Sequence, residues 1–154
     1  MKTFKIAITT IAFMLATTFA PFASAQQMDA QKSLYERLGG LKGITVVVDY
    51  FVNKLVANKT LNKNPAINAR RTSSPAPYLK FQIAQLVCEV TGGPCKYTGK
   101  GMKESHEKLN ITEEEWGVMT KMFQKTLNKF KVPASEQKEL FEIVGKLKGD
   151  IVTQ

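Results

Sequence analysis

The sequence predicts an all-α domain, and two observations lead to that prediction. Apolar residues recur every three or four positions in four long segments, which is the spacing that one face of an α-helix requires. No segment after residue 25 shows the alternation of apolar and polar residues that is typical of a half-buried strand. The helical pattern alone is compatible with an ordinary four-helix bundle.

The N-terminal segment has the composition of a secretory signal peptide. Two lysines precede a mostly apolar run that reaches Phe19, and a small-x-small cleavage site ends at Ala25. An uncleaved membrane anchor is the alternative, but threonines and a proline interrupt the run and make it short for a span. We therefore expect residues 1–25 to be a leader that is removed on export to the periplasm. Residues 26–154 then form one domain.

Glycine, proline and polar residues interrupt the helical pattern and indicate where helices end. A short first helix over residues 29–38 precedes a glycine pair, and the second helix closes at Asn58. Residues 59–77 are mostly polar and contain three prolines, so we interpret them as a loop that flanks a site. The stripes of the four main helices are Ile44, Val47, Val48, Phe51 and Leu55; Leu79, Ile83, Leu86, Val87 and Val90; Trp116, Met119, Phe123, Leu127 and Phe130; and Leu140, Phe141, Val144, Leu147 and Ile151.

Two of these helices carry start signals. Pro75 suits the beginning of the helix that follows it, because proline lacks an N–H and its φ is preset for a first turn. Thr112 and Glu115 have the spacing of a capping box. Pro133 separates the third stripe from the fourth.

The stretch from Thr91 to His106 divides the helical pattern and ends at the only histidine of the chain. A glycine pair followed by Pro94 stops the preceding helix, and a glycine-punctuated loop leads to a short helical run. Met102, His106 and Leu109 share one face of that run. The imidazole is either half-buried, with its nitrogens hydrogen-bonded to backbone or water, or it is a ligand of a metal or of haem.

Gly-Gly-Pro, then Tyr-Thr-Gly-Lys, then a methionine and a histidine four residues later resemble the proximal segment of group I truncated haemoglobins. The resemblance extends from the Ser-Leu-Tyr-Glu-Arg-Leu-Gly-Gly sequence at Ser33 to Val152, with the motif residues in the same order and spacing. It implies a two-over-two helical sandwich around haem, with His106 as the proximal ligand of the iron. No Cys-x-x-Cys-His motif is present, so haem b without covalent attachment is expected.

A haem also needs an apolar slot and cationic groups near its propionates. The family places a basic residue beside the haem edge at the position of Lys100, which makes Lys100 and Tyr97 the propionate candidates; a solvated loop lysine is the alternative for Lys100. Most of the apolar candidates would be core residues in any helical protein. The complete expected set is Phe51, Val52, Leu79, Ile83, Leu86, Tyr97, Lys100, Met102, His106, Leu109, Trp116 and Met119, with His106 as the metal ligand.

The distal positions depart from the family pattern. Group I members usually carry Phe-Tyr in the second helix, where this chain has Phe51 and Val52. The matching positions in the next helix are Leu79 and Ile83, and the family often has glutamine at the latter. Gln82 is the nearest polar candidate. An apolar distal pocket offers no hydrogen-bond donor to oxygen and by comparison favours neutral diatomics such as CO or NO.

The function implied by the resemblance is reversible binding of a diatomic gas, O2, NO or CO, without catalysis. One alternative is a haem redox enzyme such as a nitric oxide dioxygenase or a peroxidase-like catalyst, which needs a reductase partner and a polar distal group. A haem-free helical interaction module is the other.

The charge of the chain indicates what kind of partner it meets. The leader holds two of the 22 basic residues and none of the 13 acidic ones, which leaves a net charge of +7 for residues 26–154. The lysines are scattered and no basic helix has interleaved aromatics, so we expect no nucleic-acid partner. The charge is interpreted as a source of solubility and as a docking surface for an acidic redox partner. We expect a monomer without membrane contact after cleavage.

Two cysteines, Cys88 and Cys95, lie on either side of the glycine-proline turn. An exported protein meets an oxidising compartment, where a disulfide between them is plausible. Two unpaired thiols, one of them buried, are the alternative. We predict the disulfide, which would join the end of the helix before the turn, the one with the stripe from Leu79 to Val90, to the loop that carries Tyr97 and Lys100.

Overall fold

A computed structural model describes residues 32–153 of the chain, and in this range the protein is helical. The predicted all-α class is confirmed, and the predicted leader lies outside the described residues. The only β-type pairing in the described range is an isolated parallel bridge between Ile111 and Val152. The helices are α1 Leu34–Arg37, α2 Gly40–Ala57, α3 Pro65–Ser73, α4 Ala76–Val90, α5 Met102–His106, α6 Glu113–Lys129, α7 Ala134–Lys146 and α8 Lys148–Ile151, with a 3-10 turn at Leu61–Lys63.

The prediction that residues 59–77 form a loop is wrong, because this segment contains the 3-10 turn and the nine-residue helix α3. Asn64 is the N-cap of α3, and its side-chain oxygen accepts hydrogen bonds from the backbone N–H groups of Ala66 and Ile67. Pro65 occupies the first turn, where its missing N–H is not needed. Helix α3 has one large apolar residue, Ile67, so it produces no stripe in the sequence.

Other helix boundaries differ less from the predictions. The first helix was expected over residues 29–38; residues 29–31 lie outside the described range, and α1 begins at Leu34 after a capping box formed by Ser33 and Glu36. The predicted capping box at the start of α6 and the helix start after Pro75 are confirmed. The fourth stripe is divided between α7 and α8, because the chain leaves α7 at Lys146.

The core consists of two clusters of buried side chains. The first joins α2 to α4 and contains Ile44, Val48, Val52, Ala84 and Cys88. The second joins α1, α6 and α7 and contains Leu34, Leu127 and Leu140.

Phe123 of α6 packs between α2 and α7. Its ring centroid lies 5.4 Å from that of Phe51 on α2 and 5.3 Å from that of Phe141 on α7. Aromatic pairs at such distances contribute packing beyond the area they bury, so the three rings tie α2 to α7 through α6.

Arg37 ties α1 to α7 through two carboxylates. Its guanidinium nitrogens lie 2.9 Å from a Glu136 oxygen and 2.6 Å from a Glu139 oxygen. Burial raises the pKa of Glu136, but hydrogen bonds from Ser135, from its own backbone N–H and from Arg37 outweigh that effect and hold the pKa below its usual value. Glu136 is therefore ionised at neutral pH and balances the charge of Arg37.

Across residues 32–153, none of the helices combines the length and the hydropathy that crossing a bilayer requires.

Asn64 also connects segments that are distant in the sequence. Its side-chain nitrogen donates to the carbonyl oxygen of Leu109 at 2.9 Å and to a carboxylate oxygen of Glu115 at 3.3 Å. The same Glu115 oxygen accepts the backbone N–H of Thr112 at 2.9 Å, within the capping box of α6. One amide therefore caps α3 and holds the chain between α5 and α6.

Replacing Asn64 with alanine is expected to lower the free energy of unfolding by about 2–3 kcal/mol. The substitution removes a helix cap and leaves the Leu109 carbonyl and one lone pair of the buried Glu115 without their donor. Urea unfolding followed by circular dichroism measures the change. Asn53→Ala is the matched control, since that amide donates only to Asp49 on an exposed face of α2, and a change within about 0.5 kcal/mol is expected.

Asn64→Asp separates the two roles of this residue. A carboxylate keeps the cap but cannot donate and would repel Glu115, so most of the loss should remain. Full recovery of stability in Asn64→Asp would show that only the cap matters.

Candidate functional site

His106 is the last residue of α5, and its ring is half-buried. The Nδ1 atom lies 2.8 Å from the carbonyl oxygen of Met102, one turn earlier in the same helix. A carbonyl can only accept, so Nδ1 carries the hydrogen and Nε2 is left with its lone pair. A hydrogen bond of this kind fixes the tautomer and the ring orientation of metal-binding histidines.

The surroundings of His106 favour its neutral form. Burial lowers the pKa of the imidazole, the hydrogen bond to Met102 opposes this effect, and the positive charge of Arg70 adds to it. The net pKa lies below the usual value of 6.5, so the ring is neutral at pH 7 and able to bind a metal. The influence of Arg70 also brings α3 within electrostatic reach of α5, a relation that the prediction of a loop over residues 59–77 did not include.

The structure brings the predicted distal residues together. Val52 is completely buried in the α2–α4 cluster, and Leu79 and Ile83 pack against the same cluster from α4. None of the three side chains can donate a hydrogen bond. The expected apolar character of this region therefore holds for these positions. Phe51 lies beside them in α2, but its ring contacts Phe123.

The remaining apolar candidates lie on three different helices and are half-buried. Although three of them belong to the apolar stripes, none is part of either core cluster. These residues are Leu86 on α4, Met102 on α5, Leu109 after α5, and Trp116 and Met119 on α6.

Tyr97 and Lys100, the predicted propionate candidates, already have partners within the protein. The Tyr97 hydroxyl donates to the Lys100 carbonyl oxygen at 2.8 Å. The Lys100 ammonium lies 2.7 Å from a Glu104 oxygen, and both side chains are more than half exposed. Lys100 is therefore a solvated loop lysine in this structure, and its role at a haem edge stays a prediction. Arg70, which acts on His106, is the cation that the structure adds to the candidates.

Gln82 has the one buried, unpaired polar atom in this part of the molecule. Its side-chain oxygen has no hydrogen-bond partner among the described residues. A Cβ added to Gly99 would lie 2.6 Å from that oxygen and 2.4 Å from the ring of Tyr97. Gln82 thus faces the loop at the edge of α4, and a side chain at position 99 would force the ends of the Tyr97 and Gln82 side chains to move.

The loop between α4 and α5 is attached to α4 at two points. Cys88 and Cys95 form a disulfide with a Cα–Cα distance of 5.7 Å, which confirms the predicted pairing. The backbone N–H of Tyr97 donates to a carboxylate oxygen of Glu89 at 3.1 Å. These attachments fix the start of the loop that leads to His106.

The C-terminal segment secures the other side of α5. The N–H of Thr153 donates to the carbonyl oxygen of Ile111 at 3.0 Å, next to the bridge between Ile111 and Val152. The Lys148 ammonium lies 2.9 Å from a Glu113 oxygen. Together with the bond from Asn64 to Leu109, these contacts hold the chain immediately after His106. A sequence pattern gives no sign of such long-range contacts.

These residues fit a haem. The macrocycle needs one protein ligand with a free lone pair, and Nε2 of His106 provides it. It also needs apolar side chains that the protein does not bury among themselves, and the half-buried set from Leu86 to Met119 has that property. Arg70 is a cation close enough to lower the pKa of His106, and a guanidinium is suited to pairing with a propionate.

Comparison with known proteins agrees with this geometry. Residues 33–153 match the family model for bacterial-like globins. The chain is 27% identical over 121 residues to the group 1 truncated haemoglobin GlbN of Mycolicibacterium paratuberculosis, a match that covers 79% of this chain and 85% of the relative.

Solved structures of two proteins share the fold. The truncated haemoglobin of Tetrahymena pyriformis in its Fe(III) form has a TM-score of 0.68 at 20% identity, covering 80% of this chain and all of that one. The 2/2 haemoglobin of a Synechococcus species, in the cyanomet state with covalently attached haem, has the same TM-score and coverage at 22% identity. The predicted two-over-two fold and the resemblance to group I truncated haemoglobins are confirmed.

The disulfide is expected to contribute about 2–3 kcal/mol to the free energy of unfolding, since it closes a short loop in the unfolded chain. The Cys88→Ala/Cys95→Ala variant should unfold at correspondingly lower urea concentration and should not respond to a reductant. Wild-type protein in reductant is the matched control, because it keeps both sulfur atoms in place. Mass spectrometry of freshly isolated, non-reduced protein checks the bond itself, and two alkylatable thiols would contradict it.

Proposed function

We propose that this chain, which belongs to the bacterial-like globin family, holds haem b through His106 and reversibly binds a diatomic gas, O2, NO or CO, at the iron. Haem iron is the cofactor that membership of this family implies. When bound, the haem supplies an iron atom with an open coordination position for the gas. The observation that carries the proposal is the orientation of His106, with Nδ1 bonded to Met102 and Nε2 left available.

The protein would contribute a fixed ligand to the iron and an apolar wall to the gas. Helix α5 presents the imidazole in its neutral form, and the charge of Arg70 favours that form. Val52, Leu79 and Ile83 exclude water from the gas site because their side chains are buried or half-buried hydrocarbons. Such a wall admits a small neutral molecule without desolvating a polar group.

The same wall favours gas binding over redox catalysis. A nitric oxide dioxygenase or a peroxidase-like enzyme needs a donor that stabilises charge on the reacting oxygen atoms. Val52, Leu79 and Ile83 offer none, and the amide of Gln82 faces the loop near Gly99. Catalysis stays the alternative, and it would need Gln82 to act from the edge of its helix.

Export to the periplasm is also part of the proposal. The leader-like composition of residues 1–25 motivates it, and the disulfide between Cys88 and Cys95 is of the kind that persists in an oxidising compartment. There the basic domain, a monomer, would dock to an acidic redox partner that keeps the iron reduced. Tyr97 and Lys100 are proposed to face the haem edge together with Arg70.

Replacing His106 with glycine is expected to abolish stoichiometric haem uptake, because the described site offers no second histidine. Adding imidazole should restore the absorption spectrum, since the free ligand can occupy the space that the side chain leaves. Met102→Leu is the control: it retains an apolar side chain and the backbone carbonyl that orients His106. Haem retention by His106→Gly with an unchanged spectrum would refute the assignment.

The type of haem is tested by acid–acetone extraction of the same material. Non-covalent haem b should pass completely into the organic phase. Haem that stays with the polypeptide would mean a covalent link, as in the Synechococcus protein.

Val52→Tyr is expected to slow oxygen dissociation about ten- to a hundredfold, because a phenolic hydroxyl adds a hydrogen bond worth roughly 1–3 kcal/mol to a partly charged acceptor. The rate for CO should change little, since bound CO is far less polar. Val52→Phe is the matched control: it introduces the same ring into the buried cluster without the hydroxyl and accounts for overpacking. Stopped-flow dissociation measures all three proteins.

Gln82→Ala completes the comparison and should change the rate of oxygen dissociation only slightly. If the unmodified protein already holds oxygen tightly and Gln82→Ala releases it, Gln82 is the donor and the catalytic alternative is favoured.

A further inference from the structure

A cavity lies next to the α2–α4 core cluster, because Ile44 and Val48 of that cluster line it. It has a volume of about 540 Å³ and is formed by the N-terminal half of α2, the C-terminal half of α6, and the turn over residues 130–133 that leads into α7. None of the twelve residues expected at the haem lines it. The volume falls within the roughly 300–1,000 Å³ of typical small-molecule sites.

The wall of this cavity is largely hydrocarbon. Val46, Val47, Phe123, Phe130 and Val132 contribute apolar side chains, and Val46 is 50% exposed although it is a large hydrophobic residue. An apolar wall of this size fits an alkyl chain, which gains free energy for each methylene group that leaves water.

The charged residues that line the cavity are all basic. Arg37 is paired with Glu136 and Glu139, so this end of the wall contributes no free positive charge. Lys42 and Lys131 are exposed, and no carboxylate oxygen in residues 32–153 lies within 4.0 Å of either ammonium group. The cavity therefore combines an apolar interior with two cations that have no acidic partner.

More positive charge lies next to the cavity. The Tyr50 ring packs edge-on against Phe130 of the wall, with 5.6 Å between ring centroids. The ammonium groups of Lys54 and Lys129 lie 5.2 Å and 5.0 Å from the centroid of the same Tyr50 ring. These lysines extend the positive rim beyond the residues that line the cavity.

We infer that this cavity binds a single-chain amphipathic anion of the long-chain carboxylate class. The alkyl chain lies against Val47, Phe123 and Phe130, and the carboxylate meets the ammonium groups of Lys42 and Lys131. The chain's own N-terminal leader is a poor occupant, because it carries two lysines and no acid and would bring like charge to the rim. The inference does not depend on the assignment of haem to His106.

Isothermal titration of the haem-loaded protein with saturated carboxylates of eight to fourteen carbons, kept below their micelle concentrations, tests the inference. Affinity should rise roughly tenfold for every two carbons until the cavity is filled. An alkyl trimethylammonium ion of the same length should bind at least tenfold more weakly. The haem should stay bound throughout, with the intensity of its Soret band unchanged, because none of the residues expected to hold it lines the cavity.

Lys42→Glu/Lys131→Glu should weaken carboxylate binding at least tenfold and improve binding of the cation. Lys121→Glu/Lys146→Glu is the matched control: it makes the same charge change at exposed lysines outside the cavity and should bind like the wild type. Circular dichroism confirms that both variants are folded.

Several results would overturn the inference: no binding, affinity independent of chain length, an equal loss in both double variants, or displacement of haem by the carboxylate. Binding to anionic vesicles without binding to monomeric carboxylate would instead identify a membrane-contact surface and would also contradict the cavity assignment.

Discussion

The five-residue helix α5 has almost no stability of its own, because the cost of nucleating a helix is not recovered in so few residues. Its position therefore depends on its two ends. The disulfide and the bond from Tyr97 to Glu89 hold the loop before it, while Asn64 and the C-terminal segment hold the chain after it. The hydrogen bond from His106 to Met102 then orients the ring within a helix that its neighbours keep in place.

The long helices could be predicted from the sequence because each buries a continuous stripe, and the capping box of α6 is a local signal. Helix α3 could not, since it has one large apolar residue and depends on the cap from Asn64 and on a bond between Arg71 and Asn62. At the candidate site, the short helix that ends at His106 and the grouping of Val52, Leu79 and Ile83 were predictable from spacing and resemblance, while the role of His106 as a ligand stays a prediction. The contacts of Asn64 with Leu109 and Glu115 were not, because a hydrogen bond between residues about fifty positions apart leaves no periodic trace.

The residues proposed as the distal wall also belong to the protein core. Val52 is buried in one cluster with Ala84 and Cys88, so the residue expected to face the gas also packs against the helix that carries the disulfide. A polar residue at this position would need a partner inside a hydrocarbon cluster or would have to turn toward the ligand. In the proposed function, one choice of side chain would therefore set both the stability of α2 and α4 and the chemistry offered to a bound gas.

Gly93 is a position at which this chain cannot accept a side chain without a change in the turn. A Cβ at this position would lie 2.7 Å from the Cys88 sulfur, 2.7 Å from the Cys88 carbonyl oxygen and 2.5 Å from the Tyr35 ring. Loss of the cysteine would remove only the first of these collisions, since the carbonyl belongs to the backbone and no substitution deletes it. Loss of the disulfide therefore does not open residue 93 to a side chain, which first requires the turn itself to be rebuilt.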